Sequence, residues 1–129
     1  MSLQDDAVEL GMSSESRRKV QVKVCGFTDT EQLRAAAGLG IDLAGILLWE
    51  GSERAVDNEQ AARLSAAARD CGVELVGVFV DELPDQVERC CVDLQLSIAQ
   101  LHGDESAEQV RDLAGRGLRV WKTLQMSPG

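Results

Sequence analysis

The sequence predicts an α/β protein built on a parallel sheet, and three observations predict it. From residue 20 onward, short apolar runs of strand length take turns with longer stretches whose apolar residues recur at helical spacing. The helical stretches open on capping residues, and several end on glycine. The connections are short, so the order βαβαβαβαβ implies parallel strands joined by right-handed crossovers. An open doubly wound sheet and a section of a (βα)8 barrel both satisfy that order, and periodicity does not separate them.

The first strand is Val20–Cys25, and it runs into Gly26, which lets the backbone turn tightly. Thr28 and Glu31 have the S/T-x-x-E spacing of a capping box. Helix one follows from about Asp29 to Leu39, with Leu33, Ala36 and Ala37 on its buried side and Gly40 as its stop. Leu43–Leu48 is a nearly continuous apolar run, as expected of a strand buried on both faces. Trp49–Val56 reads as a loop. Asp57 caps helix two, whose Ala61, Leu64, Ala67, Ala68 and Cys71 recur at helical spacing before Gly72 closes it.

Val73–Val80 is strand three. Helix three starts at about Pro84, a residue suited to the first helical turn, and continues through Val87, Cys90 and Cys91. Strand four is approximately Leu96–Leu101. Helix four spans about Ser106–Ala114, with Ala107, Val110, Leu113 and Ala114 inward, and Leu118–Leu124 is strand five.

The 129 residues suit one domain with one sizeable core. Thirteen Lys and Arg stand against 22 Asp and Glu, a net charge of −9, which repels nucleic acid; no basic stripe offsets it. The longest apolar runs, Leu43–Trp49 and Val76–Val80, are too short to span a bilayer, so no membrane partner is expected. Cys25, Cys71, Cys90 and Cys91 lack C-x-x-C spacing and His102 is the single histidine, so neither a disulfide framework nor a zinc site is expected. A reducing cytoplasm is the natural compartment. Residues 1–19, with Asp5, Asp6, Glu9 and Glu15 among serines, are neither a signal h-region nor an acid-poor transit peptide. They read as a polar, disordered extension in front of a single domain over 20–129.

In either architecture, ligands bind at the carboxyl ends of the strands. That directs attention to Cys25, the 49–56 loop, Asp81, residues 100–104 and the end of strand five. The first turn, C-G-F-T, lacks the G-x-G-x-x-G phosphate fingerprint of a dinucleotide fold. Lys23 and Cys25 project to the same side of their strand. A cation two residues back and a helix N-terminus just ahead are surroundings that lower a thiol's pKa. A buried structural cysteine is the plainer alternative.

Five strand-end motifs occur in order: Lys-Val-Cys-Gly-Phe-Thr at 23–28, Gly-Ser-Glu-Arg at 51–54, Gly-Val-Phe-Val-Asp at 77–81, Gln-Leu-His-Gly-Asp-Glu at 100–105 and Val-Trp-Lys at 120–122. The series resembles the phosphoribosylanthranilate isomerase family, whose fold is the (βα)8 TIM barrel. The resemblance covers residues 20 to about 124 and implies an Amadori rearrangement in tryptophan biosynthesis, with no metal and no cofactor. It implies that Cys25 is the general base. Arg54 matches the arginine that holds the anthranilate carboxylate, for which a planar guanidinium is suited; a solvated loop arginine is the alternative. Gln100 and His102 look up from strand four as substrate-binding residues, or else hydrogen-bond loop backbones. Lys122 reads as structural, with Asp42 or Asp81 as its partner.

The chain departs from the family pattern in having Trp49-Glu50 where an aromatic–proline pair is common and Asp81 where asparagine is common. Both put negative charge near a site for a doubly anionic phosphosugar–anthranilate substrate. A full barrel needs at least about 200 residues, so the chain reads as the first five strands and four helices, a partial barrel. The family's general acid, at the end of strand six, and its phosphate site after strands seven and eight then lie elsewhere. Self-association or completion by a carboxyl-terminal half is expected. The other readings are a non-catalytic half-barrel and another phosphosugar barrel enzyme.

Overall fold

Along residues 20–124, which the computed structural model describes, strands and helices alternate as the sequence predicts. They are β1 Lys23–Cys25, α1 Thr30–Gly38, β2 Leu43–Leu47, α2 Asn58–Cys71, β3 Glu74–Phe79, α3 Pro84–Asp93, β4 Ile98–Leu101, α4 Ala107–Gly115 and β5 Val120–Lys122. The extension expected over 1–19 lies outside the described residues.

The sheet order decides between the two architectures. All pairings are parallel and the strands lie in the order β1-β2-β3-β4-β5. A doubly wound sheet reverses direction at a switch point; here each strand is added on the same side of the one before it. That monotonic order is a barrel's, and the chain is a section of a (βα)8 barrel.

Register assigns the faces. Cys25 lies opposite Gly45, Gly45 opposite Val76, and Val76 opposite Ile98. The alternate set, Ala44, Ile46, Leu75, Phe79, Ala99 and Leu101, packs on the helices through Leu33, Leu64, Val87 and Leu113. The inner face has its own buried cluster of Leu43, Val76 and Ile98. Curvature shows in one bond: the Lys23 ammonium on β1 donates to Gln100 Oε1 on β4 at 2.6 Å. Three strand spacings in a flat sheet come to about 14 Å, so only a strongly curled sheet brings the two together.

The caps explain most element boundaries, with one correction. Asp29, not Thr28, caps α1, accepting from Gln32 N at 2.8 Å, and Gln32 Oε1 in turn accepts from Thr28 N. Glu31 takes no part because the helix starts one residue later than the S/T-x-x-E spacing implies. Asp57 accepts from Gln60 N, Gly72 ends α2 at φ +71°, and Pro84 opens α3. Ser106 and Gln109 form a reciprocal capping box on α4. On that helix Leu113 is buried and Val110 half-buried, but Ala107 and Ala114 are exposed. Helical periodicity identified the right stripe and overstated its width.

Candidate functional site

The inner face of β1 starts the site. Lys23 and Cys25 both lean over β2, and they can because Gly45 has no side chain. A Cβ there would stand 2.8 Å from Cys25 Sγ and 3.2 Å from Lys23 Cε. Beyond Cys25 the chain turns at Gly26 with φ +96°, and its N–H is held by Gly45 O at 2.9 Å. The bare Gly26 carries the Arg54 guanidinium, which any Cβ at that position would strike.

Arg54 comes from the 49–56 loop, which is folded back onto β2. Val56 N donates to Leu47 O at 3.0 Å, Ser52 N to Trp49 O at 3.1 Å and Arg54 N to Ser52 Oγ at 3.1 Å. The Trp49 ring lies over Gly51. From the far side come Gln100 on β4 and His102 just past its end. Gln100 Oε1 takes the Lys23 ammonium and its Nε2 donates to Thr123 Oγ1 at 2.9 Å, so both ends of the amide bond side chains rather than loop backbones.

These groups enclose a pocket of about 340 Å³. Cys25, Arg54, Gln100 and His102, singled out from three separate motifs, all line it, together with Lys23, Trp49 and Ser52. Its walls are Leu47, Val78 and Val80, which sequence reading had assigned to the strands without a role at the site; inward alternation from Cys25 through the sheet register was the signal that finds them. Neither Glu50 nor Asp81 is in the lining; Asp81 lines an adjoining cleft that shares Val80 and His102 with the pocket. Asp81 has φ +51° and accepts from Asp104 N at 2.7 Å, a turn role that aspartate fills as asparagine would.

Behind the pocket a second polar group ties three strand ends. Lys122 Nζ donates to Glu105 Oε1 at 2.8 Å and to Gly103 O at 2.5 Å, which corrects the expectation of Asp42 or Asp81. Asp42 is instead occupied by Val22 N. Glu105 also accepts from Gly103 N and Asp81 N, at 2.9 and 2.8 Å. Burial works against its charge, but the Lys122 bond and the backbone donors outweigh it, so its carboxyl lies below the usual range. Glu105 was read only as part of a motif; its burial is not legible from the residue type.

A curled parallel sheet with its polar groups gathered at the strands' carboxyl ends defines a barrel enzyme scaffold of the (βα)8 class. The family model described as N-(5'phosphoribosyl)anthranilate (PRA) isomerase matches residues 22–128. The chain belongs to that family. A curated relative from Rubrobacter xylanophilus, named N-(5'-phosphoribosyl)anthranilate isomerase, is 44% identical over 106 residues, which is 82% of this chain and 51% of the relative.

Two solved structures agree with the fold. Phosphoribosyl anthranilate isomerase in complex with reduced 1-(o-carboxyphenylamino)-1-deoxyribulose 5-phosphate superposes with a TM-score of 0.79 at 35% identity, covering 84% of this chain and 55% of that one. A monomer derived from the dimeric enzyme of Thermotoga maritima gives 0.79 at 36%, covering 85% and 56%. The chain spans about half the length of the curated relatives it matches.

Proposed function

We propose that this chain carries the base and the carboxylate anchor of a cytoplasmic phosphoribosylanthranilate isomerase in tryptophan biosynthesis. The reaction is the Amadori rearrangement of N-(5'-phosphoribosyl)anthranilate to the carboxyphenylamino-deoxyribulose phosphate. The observation that supports this reading is the sign of the pocket. In a chain of net charge −9, the lining holds Lys23 and Arg54 and no carboxylate. Such a lining suits an anionic ligand.

Position supports the roles. Arg54 rests over Gly26 at the rim, where its planar fork takes a carboxylate in bidentate fashion. Cys25 sits one residue below it, so a ligand anchored by its anthranilate carboxylate presents its sugar to the sulfur. There the thiolate removes the C2′ proton of the Schiff base, and the electron pair it releases moves toward the nitrogen. His102 and Gln100 close the opposite wall. The general acid and the phosphate site belong to a carboxyl-terminal half that completes the barrel.

The test joins this chain to the carboxyl-terminal half of a relative and assays turnover. Cys25→Ser should lower it by about 10²–10⁴-fold, the range general-base catalysis supplies. A Cys25→Ser enzyme as active as its parent would return Cys25 to a structural role.

A further inference from the structure

The Lys23–Gln100 contact has no part in the mechanism above, yet it lies inside the same pocket. Lys23 starts one inward position below Cys25, half-buried, and its side chain passes over Gly45, where its Cε and the Cys25 sulfur share the space a Cβ would take. One of its three N–H donors goes to Gln100 Oε1 at 2.6 Å. The Gln100 amide is oriented at its other end, where Nε2 donates to Thr123 Oγ1. The amide therefore presents its oxygen, not its nitrogen, to the lysine. An ammonium has no acceptor capacity, so its other donors call for oxygen atoms, and the pocket lining contains no carboxylate to take them.

We propose that Lys23 is a further ligand-contacting residue, donating to a hydroxyl oxygen of the bound sugar, and that Gln100 is the positioning residue that aims it. The inference rests on the reading of the pocket given under Proposed function. The order of groups along β1 carries it: Arg54 over Gly26, then Cys25, then Lys23 one inward position lower. A ligand held at the rim by its aromatic carboxylate and touching Cys25 with a sugar carbon has that carbon's own oxygen next in line for the ammonium. Gln100, with both ends of its amide engaged, acts through Lys23 rather than on the ligand.

The experiment is a binding titration of the 129-residue chain with three probes. They are reduced 1-(o-carboxyphenylamino)-1-deoxyribulose 5-phosphate, the same compound without its phosphate, and anthranilate. Lys23→Met should weaken both sugar-bearing probes by about ten- to a hundredfold, the worth of a hydrogen bond from a charged donor. It should leave anthranilate unchanged, whereas Arg54→Ala should weaken all three. Gln100→Leu should reproduce part of the Lys23→Met loss, and should add nothing in the Lys23→Met background, because in a double-mutant cycle a residue acting through another loses its effect when that other is gone.

Equal weakening of all three probes by Lys23→Met would mark a structural role and overturn the assignment. A loss confined to the phosphate-bearing probe would move Lys23 to phosphate binding and overturn it as well. Additive losses in the double variant would put Gln100 on the ligand itself. Failure of the unaltered chain to bind any probe would overturn the anionic-ligand reading, and this inference with it.

Discussion

Glu105 and Lys122 meet at 2.8 Å beneath the strand ends, with 3% of the glutamate side chain and 20% of the lysine side chain exposed. The carboxylate also receives the N–H groups of Asp81 and Gly103, so one side chain fixes the exits of β3 and β4 and pins them to β5. Glu105→Ala leaves two backbone donors without their acceptor and a largely covered ammonium without its carboxylate, with Gly103 O as its remaining partner. Removing one partner of a buried pair costs about 3–5 kcal/mol, and the lower end is expected because Lys122 retains some solvent. Urea unfolding of the two proteins measures it.

The same carboxylate gives a pH dependence. Its folded pKa is depressed, burial notwithstanding, by the Lys122 bond and the backbone donors. The stability it contributes is therefore present above the unfolded value of about 4.3 and is lost as pH falls through the lower folded value. The thermal midpoints of the unaltered chain and Glu105→Gln should differ by a constant amount above about pH 5. That difference should shrink on further acidification.

The four thiols should separate by reactivity. Cys25 is exposed and Cys71 half-buried. Burial, then the charges of Glu82 and Asp93, push the Cys90 thiol up; burial, then Cys90 and Glu88, push Cys91 up to about 11. Iodoacetamide near neutral pH should modify Cys25 first and Cys91 last, since the thiolate is the reacting form. Peptide mapping by mass spectrometry gives the order, and early labelling of Cys91 would contradict it.

Gly45 is a separate test of the site's construction. In Gly45→Ala the new methyl meets Cys25 Sγ at 2.8 Å and the Cys25 backbone at 3.3 Å. Overpacking of this kind costs about 1–3 kcal/mol, and it should also slow alkylation of Cys25. Unchanged stability and unchanged labelling would mean that β1 and β2 can part without cost.

The sheet leaves β1 and β5 without strand neighbours on one side among the described residues. Val20, Val22 and Val24 are exposed along the first edge, and Trp121 is 38% exposed near the second. Unpaired edges beside apolar surface favour strand addition. Sedimentation of the purified chain should show self-association, and a turnover assay should show no isomerase activity without a completing half. A monodisperse, active monomer would refute both.

Much of this was legible locally. Asp57, Gly72, Pro84 and Ser106 mark helix ends by chemistry that acts within four residues, and the sequence carries it openly. Where two capping residues stand side by side, as at Thr28 and Asp29, the pattern was ambiguous and Asp29 took the position. The sheet order was not legible from periodicity, because nothing local distinguishes a strand added to one edge from a strand added to the other; the resemblance of the strand-end motifs to a barrel family carried it. The strand-end motifs named Cys25, Arg54, Gln100 and His102, and the fold brings them into one pocket. The partner of Lys122 was missed because Glu105 lies four residues past β4, whereas Asp42 and Asp81 stand closer to the ends of their strands.

The monotonic strand order has a consequence for how the molecule is made. Each strand pairs with the one synthesised just before it, so the sheet can be assembled from the amino end as the chain emerges, with short loops to close at every stage. The Lys23–Gln100 bond joins residues 77 apart and must wait for the fourth strand. The scaffold is thus standing before the pocket floor is laid, and a fault in the late units would leave a folded protein with an unfinished site.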